Sequence, residues 1–395
     1  MHDFDVILAG GGLANCLIAD RLAGARPGLK VVVVEAGDRL GGDHTWSFHA
    51  TDVTPDQDAW LRPMARAVWD GQEVRFPSYR RHLTTGYRTI VSSSLNERIS
   101  AAGPHVMLST RIARMDGNAV VLEGGREIKA PCVIDGRGLS GMPGLSIGYQ
   151  KFFGLEVELE APHGLTHPIL MDTTVDQIDG YRFLYCLPYT PTSLLVEDTY
   201  YSDGPEVDAD VLCRRVIAYI AAQGWNVVRV TREERGILPV VLDGSLVMVW
   251  PDDETGSAAR SGMRSGLFHQ TTGYSLPFAA RAADRIASLG ELNSESVAGA
   301  LRKLAERAWE RQVYFRLLNR FLFIASQGAQ RRRIFERFYR LPQSLIERFY
   351  AADLKTRDKV RIVFGRPPVS LTRALSAIPP AAAAQRAQGR LPDVN

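Results

Sequence analysis

Hydrophobic and polar positions change their period several times along the chain. Two short apolar runs, Val6–Ala9 and Val31–Val34, flank an apolar stretch with helical spacing, which predicts a strand, a helix and a second, parallel strand. Between residues 153 and 160 apolar and acidic residues alternate, as in a half-exposed antiparallel strand. Further predicted strands are residues 169–172, 181–185 and 193–200. From Ser294 onwards the period is helical.

A glycine-rich turn joins the first apolar run to the helix. Residues 10–15 are three glycines followed by Leu, Ala and Asn, and the second apolar run ends on Glu35. Strand, glycine turn, helix, strand and acid in this order form the dinucleotide-binding fingerprint. Gly10 allows the tight turn, Gly12 lets a pyrophosphate approach the helix N-terminus, and Glu35 accepts hydrogen bonds from ribose hydroxyls. Asn15 occupies the third glycine position, which we expect to loosen the contact between helix and strand.

Three further segments indicate that the dinucleotide is FAD. The glycine pair at 41–42 follows Glu35 closely, and NAD dehydrogenases usually lack such a pair. Residues 132–138 combine an apolar strand with an Asp-Gly turn, a segment that returns to the same cofactor in FAD proteins. Residues 266–274 open a helix whose backbone N–H groups can hold the negative charge of a flavin ring. The alternative is three unrelated glycine turns.

The predicted cofactor-binding residues belong to these segments. They are Gly10, Gly12, Leu13, Ala14, Glu35, Ala36, Gly42, His44, Asp135, Gly136, Gly266, His269, Thr272, Gly273 and Tyr274. For the two histidines, contact with flavin or backbone and a chemical role are alternatives. The eight histidines lack metal-ligand spacing and the four cysteines are scattered, so we predict no metal site and reduced core thiols.

The predicted fold class is α/β. It consists of a Rossmann-type FAD-binding domain, like that of FAD hydroxylases, with an inserted mixed β-sheet substrate domain and a C-terminal helical region. The segments of the discontinuous FAD-binding domain are residues 1–45, 87–147 and 241–293. Those of the substrate-binding domain are residues 46–86 and 148–240. The remainder is a helical, basic, membrane-facing region at residues 294–370 and a flexible tail at residues 371–395.

Positive charge is concentrated near the C-terminus. Residues 302–366 contain 17 Lys and Arg against 6 Asp and Glu, a local charge of +11, so the rest of the chain carries −8 of the total of +3. Ten aromatic residues are interleaved with arginines between 309 and 350. This combination suits an anionic bilayer surface, and a nucleic-acid-binding motif is absent. We therefore predict docking on a membrane lipid surface and no nucleic-acid partner; the alternative is a solvated helical face.

The same sequence predicts a cellular location. Its apolar runs are far shorter than the roughly 20 residues that span a bilayer. The acidic start runs directly into a strand, unlike a signal peptide. The expected location is cytoplasmic, with peripheral association at the inner face of the membrane.

The sequence contains eight short motifs, several of which are individually uncommon. They are residues 10–15, 44–49, 135–138, 180–183, 195–199, 272–277, 337–342 and 347–351. In this combination the chain resembles the bacterial lycopene β-cyclases over roughly residues 4–370. It departs from them at Cys16, where glycine is frequent, and at Gln270, where proline is usual; both positions flank the predicted cofactor site.

The resemblance implies a specific reaction. The substrate would be lycopene, whose open ends are closed into β-rings to give β-carotene through γ-carotene, and related linear carotenoids are further expected partners. It also implies FAD that acts in its reduced form, with NADPH or NADH as electron donor, and no net redox change. The motif at 195–199 places the catalytic acid at Glu197, with Asp198 as its neighbour.

Glu197 also fits the chemistry. Protonating an unactivated alkene gives a tertiary carbocation, and a carboxylic acid can do this only if an apolar pocket keeps it protonated near neutral pH. The period of a strand sends Leu195 and Glu197 to one face and Asp198 to the other. A solvated acid pair is the alternative. Reduced flavin and aromatic faces would stabilise the cation. The aromatic candidates, which can equally be core residues, are Trp46, Phe48, Tyr181, Phe183, Tyr185 and Tyr274.

Two other functions are compatible with the sequence. One is a redox flavoenzyme of the same fold, either a hydroxylase or a prenyl-lipid reductase, which would consume reductant stoichiometrically. The other is a lipid-binding flavoprotein without catalysis, which would tolerate the loss of Glu197.

Overall fold

The structure is a computed structural model that describes residues 2–139, 144–250, 256–326, 328–364 and 377–378. Its strands, in chain order, are β1 (Val6–Ala9), β2 (Val31–Val34), β3 (Thr45–His49), β4 (Ala67–Trp69), β5 (Gln72–Phe76), β6 (Tyr79–Leu83), β7 (Tyr87–Val91), β8 (His105–Met107), β9 (Ile112–Met115), β10 (Ala119–Leu122), β11 (Glu127–Lys129), β12 (Cys132–Asp135), β13 (Leu145–Leu159), β14 (Ile169–Asp172), β15 (Tyr181–Thr190), β16 (Ser193–Ser202), β17 (Val227–Gly244) and β18 (Ala259–Arg260). Its α-helices are α1 (Leu13–Ala25), α2 (Pro55–Leu61), α3 (Ser92–Ala102), α4 (Ala209–Ala222), α5 (Leu276–Ala287), α6 (Ser294–Arg311), α7 (Val313–Arg320), α8 (Ala329–Tyr339), α9 (Gln343–Tyr350) and α10 (Thr356–Val363).

A parallel sheet with the strand order β18-β12-β1-β2-β8 contains the first apolar runs. β1 lies between β2 and β12, with Val6 opposite both Val31 and Cys132. Every residue of these three strands is buried, because α1 packs against β1 and β2 and further strands cover the other face. The fold class predicted from the sequence, α/β with a Rossmann-type sheet, is confirmed.

A larger sheet holds the long antiparallel strands, in the order β17-β13-β16-β15-β14-β5-β6. It is mixed, as predicted, because β14 runs parallel to β5 while the other neighbours are antiparallel. One face packs against α4, and the other belongs to the main hydrophobic core. The period of two therefore sorts side chains of β15 and β16 between two different environments.

The domain boundaries stay predictions. β3 pairs with β7 in a small sheet, and it begins one residue before the predicted boundary at 45/46. β17 likewise continues across the predicted boundary at 240/241. The helical prediction from Ser294 onwards corresponds to α6–α10. The predicted tail at 371–395 lies outside the described residues except for 377 and 378.

Three arginines of the basic C-terminal region are buried rather than exposed to a membrane. They are Arg316, Arg320 and Arg331. Arg331 donates hydrogen bonds to the backbone oxygens of Leu322 at 3.0 Å and Tyr201 at 2.9 Å. For these three residues the prediction of a membrane-facing side chain is wrong, because the guanidinium donors are used to bind carbonyl groups inside the protein.

Two sequence predictions concern membrane-spanning helices and the state of the cysteines. Among the described residues, no helix is both long enough and apolar enough to cross a bilayer. The four cysteines are free thiols, three of them buried and Cys213 half-buried.

Candidate active site

The turn between β1 and α1 forms a cradle of backbone groups. Gly10 has a φ of +90°, and a Cβ there would lie 2.9 Å from the carbonyl oxygen of Gly136. Gly12 caps α1 without a side chain, and the first turn of α1 carries no acidic residue. A Cβ on Gly12 would meet nothing closer than 3.8 Å. The backbone N–H groups at this helix start are therefore accessible to an anion such as a pyrophosphate.

Glu35 stands at the end of β2 beside this cradle. Its carboxylate accepts hydrogen bonds from the backbone N–H groups of Gly11 at 2.6 Å and Gly37 at 2.7 Å. The backbone N–H of Gly41 in turn donates to the carbonyl of Gly11 at 2.8 Å. The structure thus brings together the first turn, the acid and the glycine pair, as a dinucleotide site requires; Ala36 and Gly42 are exposed beside them.

Asn15 ties the cradle to its surroundings. Its side-chain amide donates to the carbonyl oxygens of Ala9 at 3.0 Å and Gly10 at 2.9 Å, and it accepts from the hydroxyl of Ser261 at 2.7 Å. The expectation that Asn15 loosens the contact between helix and strand is wrong. Its amide replaces the close packing of a glycine with three hydrogen bonds, all buried.

Asp135 and Gly136 follow β12 at the same edge of the sheet. A Cβ on Gly136 would lie 2.6 Å from the Asn15 amide, so only glycine fits. Asp135 forms ion pairs with Arg137 at 2.9 Å and Arg264 at 3.0 Å. Burial acts to raise the pKa of Asp135, but these two guanidinium groups outweigh it and hold the pKa below its ordinary value. Gly136 therefore closes one side of the cradle, with a fixed charge pair beside it.

The segment 266–274 is shaped by His269. This side chain is fully buried; its Nε2 lies 2.9 Å from the carbonyl oxygen of Phe349, and its Nδ1 lies 3.3 Å from the backbone nitrogens of Thr271 and Thr272. Burial lowers the pKa of His269 to about 4, which keeps the ring neutral. Of the alternatives for His269, the structure favours backbone contact, because both ring nitrogens are used within the protein.

The rest of that segment approaches the large sheet. Gly273 has a φ of +71°, and a Cβ there would lie 2.7 Å from the Leu238 side chain of β17. α5 begins at Leu276 and packs along α1. Gly266, at the other end of the segment, also has a positive φ, of +77°. His44 is exposed, its backbone N–H donates to the Ser92 hydroxyl at 2.7 Å, and its ring is tilted against Trp46.

Glu197 lies on the core-facing side of β16. Its neighbour across β15 is Tyr185, and its neighbour across β13 is Gly154. The Thr199 hydroxyl donates to Oε1 of Glu197 at 2.5 Å. Burial, followed by the negative charge of nearby Glu234, raises the pKa of Glu197 well above its ordinary value. This shift is in the direction that the reaction requires, because the acid must keep its proton until the alkene takes it.

Asp198 points to the opposite face of the sheet, as the period of two predicts. Arg182 donates to both of its carboxylate oxygens, at 2.8 Å to Oδ1 and 3.0 Å to Oδ2, and the Tyr200 hydroxyl donates at 2.7 Å. Burial raises the pKa of Asp198, and the Arg182 guanidinium opposes this shift. The structure does not bring Asp198 together with Glu197, because the sheet backbone separates the two carboxyl groups.

Tyrosine hydroxyl groups line the core side of the sheet next to Glu197. The Tyr87 hydroxyl lies 2.9 Å from those of Tyr185 and Tyr274, and the Tyr185 hydroxyl donates to Ser47 at 2.7 Å. This cluster connects β15, β7 and the segment before α5. Two of the predicted aromatic candidates, Tyr185 and Tyr274, therefore lie in one hydrogen-bonded group.

The other predicted aromatic residues are dispersed. Tyr181 and Phe183 lie on β15 with ring centroids 5.5 Å apart, and Phe335 of α8 stacks on Tyr181 at 4.2 Å. Phe48 is fully buried in the core, and Trp46 lies beside His44. A role in stabilising a cation stays a prediction for all of them.

The chain is similar to known proteins over most of its length. A family profile described as "Lycopene cyclase protein" matches residues 5–376. The lycopene beta-cyclase of Pseudescherichia vulneris is 47% identical over 374 residues, which are 94% of this chain and 96% of that protein. The chain belongs to the lycopene cyclase family. The resemblance predicted from the eight motifs is confirmed.

Solved structures share the fold of this lycopene cyclase family member at low identity. A geranylgeranyl bacteriochlorophyll reductase-like protein from Thermoplasma acidophilum superposes with a TM-score of 0.58 and 15% identity, covering 97% of this chain and 96% of that chain. A probable FAD-dependent monooxygenase from Pseudomonas aeruginosa gives a TM-score of 0.55 and 17% identity, covering 81% and 96%. These likenesses establish the fold.

One acid of this lycopene cyclase family member was missed in the sequence. Glu234 of β17 lies opposite Gly154, as Glu197 does from the other side. Its Oε2 accepts from the Thr45 hydroxyl at 2.6 Å and from the Arg232 guanidinium. If residues 227–244 had been predicted as a strand, the period of two would have indicated which face Glu234 lies on. The pairing of this strand with one some 80 residues earlier, however, is a tertiary feature that the sequence pattern does not give.

Proposed function

We propose that this protein is a lycopene β-cyclase, which converts lycopene through γ-carotene to β-carotene and accepts related linear carotenoids. The observation that carries the proposal is Glu197, a buried acid with a raised pKa on the core side of a sheet, in a chain of the lycopene cyclase family. The reaction is an isomerisation, or intramolecular lyase reaction, without net redox change.

The carboxyl group of Glu197 starts the reaction. Its proton passes to the CH carbon of the terminal alkene, which leaves a tertiary cation on the neighbouring carbon. A second double bond of the substrate attacks that cation and closes the ring, and a proton is lost from a ring carbon to form the ring double bond. One proton enters and one leaves, so no reductant is consumed. The burial of Glu197 favours its neutral form and keeps the cation away from water.

The residues of the cradle fit FAD. Gly10, Gly12, Leu13 and Ala14 would hold its pyrophosphate at the N-terminus of α1, and Glu35 would hold its ribose. Asp135 and Gly136 follow β12 at the same edge, and Thr272, Gly273 and Tyr274 would face the flavin end. Bound FAD in its reduced form supplies negative charge beside the developing cation. NADPH or NADH would provide the electrons for that reduction.

Membrane docking belongs to the same proposal, with the protein on the cytoplasmic face of the bilayer. α10 exposes an apolar set at its end: Val360, Val363 and Phe364, the last 74% exposed. Arg357 and Arg361 are exposed on the same helix. Apolar and cationic side chains on one short helix suit an anionic lipid surface from which an insoluble hydrocarbon is collected.

A cavity of about 360 Å³ lies beside β15, with Trp69, His163 and Tyr189 in its lining. Tyr189 packs against the main hydrophobic core, as Tyr185 does, and Glu234 and Arg232 are near its hydroxyl group. The Trp69 ring lies 6.4 Å from the Tyr87 ring of the hydroxyl cluster. The opening therefore lies close to the hydroxyl cluster.

Expression in bacteria that already make lycopene tests the proposed function. We expect pigment analysis to show β-carotene, with γ-carotene at early times. Unchanged lycopene, in cells that contain the folded flavoprotein, would contradict the proposal. The ratio of NAD(P)H oxidised anaerobically to rings formed separates the cyclase from a redox flavoenzyme: we expect a ratio well below one, whereas a reductase gives a ratio near one.

A further inference from the structure

We propose that Glu234 is a positioning residue for Glu197: the two carboxyl groups share one proton, and Glu234 holds that proton on Glu197. This inference rests on the proposed function of Glu197 as the acid. It adds a residue from a strand that is remote from Glu197 in sequence and that forms the edge of the large sheet.

The register of three strands brings the two acids together. β13 lies between β16 and β17, and its Gly154 is directly opposite both Glu197 and Glu234. A Cβ on Gly154 would lie 3.3 Å from Cβ of Glu197 and 3.3 Å from Cγ of Glu234. Since glycine leaves this space free, no side chain stands between the two acids, and the negative charge of Glu234 acts to raise the pKa of Glu197. Any larger residue would stand between them.

The surroundings of the two carboxyl groups differ in charge. Glu234 is bound by the Arg232 guanidinium and by the Thr45 hydroxyl, which also accepts from Arg232 at 2.9 Å. The hydrogen bond to Glu197 comes from a neutral hydroxyl, that of Thr199. Two carboxylates so close together in a desolvated site cannot both be ionised. The negative charge therefore belongs on Glu234, beside the cation, and the proton on Glu197, beside the substrate.

This arrangement has a consequence for each turnover. When Glu197 gives its proton to the alkene, it becomes a carboxylate next to the charged Glu234. The repulsion between the two favours return of a proton to Glu197 before the next ring is closed. Other ionisable groups near the pair are Tyr185 and Tyr189 from β15, Glu156 from β13, Arg232 from β17, and Asp43 and His44 before β3.

The pH profile of cyclisation tests the pair. In the wild type we expect the rate to fall as pH rises through the raised pKa of Glu197, because the acid loses its proton. Glu234→Gln removes the neighbouring charge, so the fall should occur at least about one pH unit lower. Glu234→Asp keeps the charge, so the pH at which the rate falls should return toward the wild-type value. Glu158→Gln is the matched control. Glu158 is on β13, its side chain is 41% exposed and pairs with Arg229, and the variant should keep the wild-type profile.

A second variant separates the carboxyl groups without removing either. Gly154→Ala places a methyl group in the space between them. The rate of cyclisation should then fall at a lower pH than in the wild type, as in Glu234→Gln. A wild-type pH profile in both folded variants, Glu234→Gln and Gly154→Ala, would overturn the proposal.

Infrared spectroscopy tests the pair without turnover. The band of a protonated carboxyl group that is absent in Glu197→Gln should titrate at lower pH in Glu234→Gln than in the wild type. An equal midpoint in both proteins overturns the pair even if the enzyme is active. Formation of no cyclic carotenoid by the wild type contradicts the proposed function instead, and the infrared titration still decides whether the proton is shared.

Discussion

Arg182 and Asp198 form a buried ion pair on the face of the large sheet that is opposite Glu197. Nε of Arg182 lies 2.8 Å from Oδ1 of Asp198, and the Asp198 side chain is fully buried. Two acids that are adjacent in sequence therefore have different environments. Asp198 is held in an ion pair beside α4, whereas Glu197 faces the core, where burial raises its pKa.

Asp198→Asn should reduce the stability of the protein more than it reduces cyclisation. The substitution preserves the size of the side chain but leaves Arg182 buried without its countercharge, which typically costs about 3–5 kcal/mol. We expect urea unfolding to show a lower free energy of unfolding, with cyclisation retained under conditions in which the protein is folded. Asp38→Asn, in the exposed pair with Arg39, is the control and should unfold like the wild type. A stable but inactive Asp198→Asn protein would make Asp198 the acid.

Glu197→Gln should abolish cyclisation while FAD binding is retained. Glutamine keeps the shape of the side chain but lacks the transferable proton. With the wild type in D2O, we expect mass spectrometry to find one deuterium per ring in β-carotene, at the carbon that was protonated. Full activity of Glu197→Gln would remove Glu197 from the mechanism.

Gly12→Trp should prevent FAD binding. Its side chain would fill the space at the N-terminus of α1 where the backbone meets the pyrophosphate. We expect the purified variant to lack flavin absorbance. Gly24→Trp is matched to it, since Gly24 lies on the same helix, is exposed and has open space around it. Normal flavin content in Gly12→Trp would contradict the assignment of the cradle.

His269 should make stability depend on pH between about 4 and 6.5. Its pKa is lowered to about 4 in the folded protein, so the unfolded chain binds a proton in this range that the folded protein does not. The contribution of His269 to the free energy of unfolding is therefore fully present above the pKa of this side chain in the unfolded chain. It is lost as pH falls, by about 3 kcal/mol over the range. In His269→Gln we expect urea unfolding to show a free energy of unfolding that changes less steeply with pH in this range. His105→Gln, at an exposed site, should keep the wild-type slope; an equal slope in His269→Gln would contradict the prediction.

Membrane binding should depend on the end of α10. We expect the protein to float with anionic liposomes and to bind less at high salt, because exposed charges are screened. Phe364→Ser should weaken flotation, and neutralising Arg357 and Arg361 should remove its salt dependence. Val68→Ser, at the exposed position of β4, should leave flotation unchanged. Equal binding of the wild type to neutral and anionic vesicles at all salt concentrations would contradict the electrostatic part.

Local patterns in the sequence were sufficient for the nucleotide cradle and for the face of Glu197. Residues 10–15 and Glu35 belong to one contiguous βαβ unit, in which strand, turn and helix follow directly from local order. The separation of Glu197 from Asp198 needs only the alternation of a strand. The predicted effect of Asn15 on the contact between helix and strand was wrong, because its three hydrogen-bond partners include Ser261, which is remote in sequence.

The sequence by itself determined the family and the fold class, since each motif that indicates them is a short run of neighbouring residues. For Glu197 it determined the face of the strand, and its role as the acid stays a prediction. Tertiary structure decided what those residues contact. Glu234 reaches Glu197 only because β16 and β17 both pair with β13, and Gly154 leaves room between them. Arg331, in a basic segment, is buried because carbonyl groups from distant parts of the chain accept its hydrogen bonds. Charge and hydrophobicity describe a residue alone, whereas burial depends on which strands and helices pack around it.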